Sequence, residues 1–426
     1  TEDSKGNLLL TSLEGFFIFN PSSLLLLHYL NDSEQQFGLG DNYVNQAIID
    51  KTEQVWIATW FKGINRINQF SNVFKSLQKK NNVNNSLSSN YVSRFFIDSK
   101  NHFWVGCYNG GGLNKTKINK QKAYNNFEHF ISDPADSKSI SGNSINALYE
   151  DHDHILWVGT RQGLNRYNDK SNDFTRFKHD PNDSTSISNN GVEAIFEDSH
   201  GIFWIGTRYG LNIMDKQTGK FIQFVPDKNR LVAKVSADTR VIFEDSYGEL
   251  WFGGDFLKKL NRKDTNFITY FSDSVGLHDF NLRRVWGFVE DDSANLWIST
   301  LGSGLFKYNR NDESFTNITT ENGLISNTIV AVEIDDRGII WASSLQGLSR
   351  VNPHDFSIRN FDDADGLLSL GFIDRSSFKD KDGWLYFGNR DGLNIFHPDS
   401  IKDNKCIPPV YITSLTIAGN QKYFDK

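Results

Sequence analysis

A chain of 426 residues with 38% hydrophobic and 14% aromatic side chains can bury a sizeable core, which sets it apart from disordered and fibrous sequences. A formal net charge of −7 with no block of Lys and Arg argues against nucleic acid or an anionic membrane surface as partner. The two cysteines, Cys107 and Cys406, show no zinc spacing, and no run of 18 apolar residues is present to span a membrane.

Throughout the chain, short runs rich in Ile, Val, Phe and Trp alternate apolar with polar residues and are separated by Gly, Asn and Asp. That is the pattern of half-buried strands joined by tight turns. Residues 1–22 hold GNLLLTS and GFFIFNPSS, the second and third strands of a weak first unit whose opening strand is missing. The chain thus opens inside a repeat, without an initiator Met or a signal peptide, and reads as a fragment of a longer protein. A second unit centres on QVWIATWFKGINRIN and ends in VFKSL, and the polar stretch QKKNNVNNSLSSN after it suits a loop and a boundary.

The third unit, HFWVGCYNGGGLNK, carries a longer connection, KTKINKQKAYNN, read either as a tolerated loop expansion or as a contribution to a binding face. Cys107 stands there in place of a recurrent Thr and reads as a small buried residue. The fourth and fifth units, EDHDHILWVGTRQGLNRYN and EDSHGIFWIGTRYGLNIMD, are the closest copies and follow similar linkers, SDPADSKSISGNSI and HDPNDSTSISNNGV. In the fifth, strands are expected at 192–197, 202–207, 210–215 and 221–224. Its first turn has Asp198 where a side chain can bond the backbone two residues on, and Gly201 where φ can turn positive.

The sixth, seventh and eighth units centre on ELWFGGDFLKKLN, NLWISTLGSGLFKYN and IIWASSLQGLSRVN, and in the ninth, GWLYFGNRDGLNIFHPDSI, Tyr and Phe take over the apolar places. The tail CIPPVYITSLTIAGN falls outside the rhythm: Pro408-Pro409 ends the repeat and a new strand begins.

Marking one position per unit gives Trp56, Trp104, Trp157, Trp204, Trp251, Trp297 and Trp341, with Leu9 and Tyr386 in the weaker first and last copies. The successive spacings are 47, 48, 53, 47, 47, 46, 44 and 45 residues. A period of about 40–50 with four strands per unit indicates an all-β propeller, because one small sheet cannot bury both faces and must stack on its neighbours. The large aromatics are expected as the filling between adjacent blades, each contributing roughly 1.5–3 kcal/mol of burial.

The units DSxGxLWIGTxxGLNRYN and the linker DPNDSTSISNN resemble the two-component regulator propeller repeats over nearly the whole chain, and PPVYITSLTIAGN resembles the first strand of the Ig-like three-tyrosine domain that follows such propellers. The resemblance implies the periplasmic sensor region of a membrane receptor, built from seven-bladed propellers and acting as a homodimer with a cytoplasmic kinase or cyclase output. On that reading, 1–85 holds the last two blades of a preceding propeller, 86–405 a seven-bladed ring, and 406–426 the first Ig-like strand. A single nine-bladed ring is the alternative.

In a propeller of this strand order, the loops entering the innermost strand and the loops between the second and third strands emerge on one face. The second set supplies Trp60, Tyr108, Arg161, Arg208, Asp255 and Arg390; the first supplies Asn90, Asn143, Asn190, Arg240, Arg284 and Asn327. Arg, Asn and aromatic groups converging on a central depression suit a sugar or a carboxylated saccharide through forked hydrogen bonds and ring stacking, and the family's oligosaccharide ligands point the same way. Turn capping explains the recurrent Asn equally well.

A glycosidase or lyase would need a unique pair of carboxylates about 5–9.5 Å apart. The pairs Glu150-Asp151, Glu197-Asp198, Glu244-Asp245 and Glu290-Asp291 recur from unit to unit, as turn residues do, and His102, His152, His154 and His200 show no ligand spacing. The expectation is a segment without catalysis, metal or cofactor, and without membrane contact of its own. A scaffold for protein partners is the remaining alternative, with Trp60 and Trp286 as aromatics that depart from the repeat.

Overall fold

The computed structural model describes residues 1–31, 38–51, 53–67, 73–81, 83–118, 124–224, 238–263, 266–270, 284–402, 414–417 and 420–423. The chain divides into two compact units, Phe74–Pro398 and a second made of Thr1–Val73 with Asp399–Lys426. Among the described residues no helix is long and apolar enough to cross a membrane.

The Phe74–Pro398 unit contains seven four-stranded antiparallel sheets among the described residues. Numbered I to VII in chain order, their first strands are Val92–Ile97, Ile145–Glu150, Val192–Glu197, Thr239–Glu244, Val285–Glu290, Ile329–Ile334 and Phe372–Lys379. Each first strand packs on that of the next sheet, and Phe372–Lys379 packs on Val92–Ile97, so the succession returns to its start.

Six sheets take their four strands from consecutive sequence. Sheet VII takes three, and its outer strand is Lys75–Leu77, paired with Gly392–Phe396 through Leu77↔Leu393 and Lys75↔Ile395. This corrects the boundary at 85/86 and the assignment of VFKSL to the second repeat. After Phe396 the chain enters the 3-10 turn Pro398–Ser400, and among the described residues nothing C-terminal to it adds a strand to this sheet, so its open edge of N–H and C=O groups accepts the strand that precedes sheet I. The tail differs too: Ser414–Ile417 and Asn420–Tyr423 pair as a hairpin rather than forming one strand, while Cys406 and Pro408-Pro409 lie outside the described residues.

In the ring, each anchor aromatic is buried and meets the following sheet. Trp104 lies 4.9 Å from Tyr167, Trp157 4.9 Å from Phe203, Trp204 5.7 Å from Phe252, Trp251 5.2 Å from Tyr308, Trp297 6.3 Å from Phe356 and Trp341 4.9 Å from Phe396, ring centre to ring centre. Tyr386 closes the circuit against Phe103 at 5.7 Å. The glycine two residues after several anchors permits this approach: a Cβ on Gly106 would stand 2.5 Å from Ile145, and one on Gly159 2.7 Å from Val192.

The turn aspartate does more than shape its turn. In sheet III, Asp198 Oδ1 accepts the His200 and Ile202 N–H groups at 3.0 and 2.9 Å, while Oδ2 accepts the Trp204 indole N–H at 3.0 Å and the Arg262 guanidinium at 3.0 Å. Burial pushes this carboxyl up, but those hydrogen bonds and the Arg262 charge outweigh it and hold it below the usual carboxylate range. The same indole-to-aspartate bond recurs from Trp104, Trp157, Trp251, Trp297 and Trp341, and the Tyr386 hydroxyl makes it to Asp380 at 2.9 Å. The preceding glutamates stitch sheets together: Glu150 accepts from Ser99, Glu197 from the His152 N–H, Glu244 from Ser199 and Glu290 from Ser246.

The expanded connection of the third repeat delivers Tyr124 into the seam between sheets I and VII, where it stacks on Phe103 and bonds the Tyr386 hydroxyl at 2.8 Å. Burial pushes the Tyr124 hydroxyl up to about 12, so it stays protonated as a hydrogen-bonding group.

In the Thr1–Val73 part, Leu8–Ser12, Gly15–Asn20 and Leu25–Tyr29 form one three-stranded sheet, and Val44–Ile49, Val55–Thr59 and Ile64–Ile67 another. Leu9, Phe16, Leu39, Val44, Ala47, Val55 and Ile57 make their common core. Trp56 departs from the expected burial. It bonds Asp50 at 2.7 Å like the other anchors, yet is 36% exposed, because its face of the sheet, shared with Ile48 and Ile64, is uncovered.

Glu333 lies partly buried between sheets VI and VII, and burial pushes its carboxyl up to about 7 against the weaker opposing effects of a Ser377 hydrogen bond and the Lys379 charge. A raised carboxyl pKa means the folded form binds its proton more tightly than the unfolded chain. Its stabilisation is complete below the unfolded value and is lost as pH rises toward 7. Glu333→Gln should therefore remove part of the stability loss between pH 4 and 8, worth about 1–3 kcal/mol at pH 8 and little at pH 4, as read by urea midpoints at the two pH values. Equal effects at both would show that Glu333 does not titrate there.

Candidate functional site

A one-residue register shift falls near the start of the first strand in sheets I to VI, between Val92 and Arg94, Ile145 and Ala147, Val192 and Ala194, Thr239 and Val241, Val285 and Gly287, and Ile329 and Ala331. Such bulges re-aim a side chain. The residues at the shift are Ser93, Asn146, Glu193, Arg240, Trp286 and Val330, and of these Glu193, Arg240 and Trp286 line one depression of about 330 Å³.

In sheet VII the shift is larger, between Phe372 and Ser377, and it lifts Asp374 and Arg375 out of the ladder into the same depression. Arg375 holds φ at +53°, a left-handed conformation that costs a non-glycine residue about 1–3 kcal/mol. Its Nη1 donates to the carbonyls of Glu193 at 3.0 Å and Arg240 at 2.8 Å, and its Nη2 to the Glu193 carboxylate at 2.7 Å. One side chain from sheet VII thus ties sheets III and IV together. Burial by itself lowers the pKa of Arg375, and the charges of Glu193 and Asp374 more than reverse that.

Below it lies Arg94, buried, donating through Nε to the Asn146 carbonyl at 2.6 Å and through Nη1 to the Asp374 carbonyl at 2.7 Å, while its Nη2 has no hydrogen-bond partner among the described residues. Burial, and after it the like charge of Arg375, hold its pKa below the usual arginine value.

The walls come from the loops between second and third strands. Backbone bonds fix them: the Tyr108 N–H donates to the Tyr91 carbonyl at 2.9 Å and the Arg208 N–H to the Gly191 carbonyl at 3.0 Å, which seats each loop over its own first strand. The Arg208 Nε donates to Glu193 at 2.8 Å. The Arg161 guanidinium stands 5.6 Å above the Tyr108 ring, and that of Arg240 is 6.0 Å from the Trp286 ring while pairing with Asp238 at 2.7 Å.

Of the residues singled out in the sequence, Tyr108, Arg161, Arg208, Arg240 and Trp286 converge on the depression. The others do not line it. The Asn90, Asn143, Asn190 and Asn327 side chains are turned into loop latches, accepting the N–H groups of Lys79, Ser132, His179 and Thr320. Asp255 and Arg284 are joined through their backbones, Arg390 is exposed on sheet VII, and Trp60 belongs to the Thr1–Val73 part. Apart from Arg240, the first-strand set lies two or three residues early: where a first-strand residue reaches the depression, it is the one at the bulge and not the one before it. Glu193, Asp374, Arg375 and Tyr91 were missed, although Glu193 stands out as a carboxylate in a strand position where the two preceding copies carry Ser93 and Asn146. Among the described residues no group of three or more His, Cys, Asp or Glu side chains could hold a metal ion.

Comparison with known proteins follows the same lines. Residues 86–109, 139–162 and 186–209 match the family model described as two component regulator propeller. A histidine kinase P4 of Formosa agariphila is 33% identical over 135 residues, covering 30% of this chain and 10% of that protein. The solved extracellular domain described as that of a hybrid two component system from B. thetaiotaomicron superposes with a TM-score of 0.71 at 23% identity, over 99% of this chain and 59% of its own length. Streptogramin B lyase shares the fold with a TM-score of 0.55 at 12% identity, over 77% of this chain and 99% of its own. The chain therefore spans a part only of the signalling proteins it matches. By that family model, the three segments 86–109, 139–162 and 186–209 are two component regulator propeller repeats.

Proposed function

We propose that the chain is an extracytoplasmic sensing region of a membrane-bound signalling receptor, in which the Phe74–Pro398 propeller binds an oligosaccharide at its central depression. The receptor works as a homodimer and passes the signal to a kinase or cyclase output elsewhere in the protein. The observation that carries this reading is the convergence of three aromatic rings, Tyr91, Tyr108 and Trp286, with the arginine forks of Arg161, Arg208 and Arg240 around one depression. Flat aromatic faces suit pyranose rings, and fixed donors suit their hydroxyls. The repeat family and the extracellular domains that share the fold support a receptor and a placement outside the cytoplasm.

The segment acts without catalysis of its own. The recurrent carboxylates that a glycosidase would draw on are committed to indole, serine and arginine partners in the turns, and the likeness to a lyase is one of fold. Isothermal titration of the purified chain against a panel of neutral and acidic oligosaccharides tests the reading: binding that Trp286→Ala weakens by about tenfold or more supports it. Hydrolysis or elimination of any panel member, or saccharide binding indifferent to Trp286→Ala, refutes it.

A further inference from the structure

The geometry points to an acidic sugar as the ligand class, with its anionic group seated between Arg161 and Arg208 and its ring against Tyr108. This deepens the oligosaccharide reading and rests on it. The charges around the depression do not balance. Four guanidinium groups, Arg161, Arg208, Arg240 and Arg375, and two carboxylates, Glu193 and Asp374, line it, with Arg94 buried against the Asp374 carbonyl and Asp238 paired with Arg240. Glu193 is shared by Arg208 and Arg375, Asp374 pairs with Arg375 at 3.3 Å, and Asp238 pairs with Arg240.

Two positive groups are left over. Arg94 sits beneath with an unpartnered, buried Nη2, and Arg161 stands at the rim, exposed, with no ion pair among the described residues. Arg208, a wall residue of the depression, engages Glu193 through Nε, and this bond leaves its two amino groups to a ligand.

A chain of net charge −7 thus carries a local excess of positive charge in a concave, partly desolvated place, where field lines concentrate. A neutral sugar would solvate these forks no better than water does. A carboxylate or sulfate gains charge-assisted, forked hydrogen bonds from the planar guanidinium groups, to which a lysine would be a poor substitute. Glu193 sharpens the choice, because it fixes the orientation of Arg208 while its own charge is already matched by Arg375.

The test uses three probes on the intact chain: trigalacturonate, its carboxyl-reduced neutral counterpart, and a sulfated neutral trisaccharide, each titrated calorimetrically at 50 and 300 mM NaCl. An acidic probe should bind at least about tenfold more tightly than the neutral one, the advantage shrinking at the higher salt. The better of the two acidic probes identifies carboxylate or sulfate as the group seated. Arg161→Ala should abolish the advantage without changing the melting temperature, as its side chain is exposed, and Arg161→Lys should restore only a part. Equal binding of neutral and acidic probes overturns the inference and leaves the oligosaccharide reading standing; binding of none of the three by a folded chain overturns both.

Discussion

Replacing Arg375 by alanine is expected to destabilise the Phe74–Pro398 unit by about 3–5 kcal/mol, because the buried Glu193 carboxylate keeps only the half-exposed Arg208 as a cationic partner. The guanidinium is buried, as is the Glu193 carboxylate that it meets at 2.7 Å, and the two further bonds to main-chain carbonyls disappear with it. Little strain is released, since alanine resists φ of +53° as arginine does and gains only a smaller side chain at the crowded centre. That gain is smaller than the loss. The diagnostic measurement is a double-mutant cycle by urea denaturation with Glu193→Gln: neutralising the under-compensated acid should recover about 1–3 kcal/mol. Additive effects of the two substitutions would show that the pair does not hold the centre of the ring. Saccharide binding should fail in Arg375→Ala even where the chain remains folded, because Glu193 then swings the Arg208 fork away from the depression.

The second large effect separates two tryptophans that look alike in sequence. Trp251→Ala should cost about 3–5 kcal/mol, because the ring is fully buried between sheets IV and V against Tyr308 and its indole satisfies Asp245. Arg310, which also reaches Asp245, would remain on that carboxylate with the Tyr247 and Glu249 N–H groups. Trp56→Ala should cost only about 1–2 kcal/mol, since its ring is 36% exposed although its indole makes the same bond to Asp50. Denaturation followed by near-ultraviolet circular dichroism would distinguish them; equal losses would mean that Trp56 is covered in solution.

The repeat was legible because burial and turn chemistry recur at a fixed period. An indole six residues after an aspartate, followed by a small residue that lets sheets approach, can be read from spacing alone. Three things could not be. Exposure of Trp56 depends on what covers its sheet, and spacing says nothing about a neighbour. The outer strand of sheet VII comes from Lys75–Leu77, more than three hundred residues from its partner, and a three-residue strand carries too little pattern to declare its partner. The centre of the ring depends on a register slip: the bulge in sheet III brings Glu193 to the depression, while Asn143, Asn190 and Asn327, three residues ahead of their bulges, latch loops. The wall residues were found because they sit in loops whose position follows from blade order. The floor was missed because Asp374 and Arg375 lie in a stretch that departs from the repeat.

The pairing of Lys75–Leu77 with Gly392–Phe396 has a mechanical consequence. The polypeptide enters and leaves the Phe74–Pro398 unit along neighbouring antiparallel strands, so both connections emerge at one end of one sheet. Tension pulling these two tethers apart would bear first on the Lys75↔Ile395 pair and on Phe74 where it packs against Phe396, then peel inward toward Leu77↔Leu393. The other six sheets, each made from continuous chain, would feel that load only after this clasp had opened.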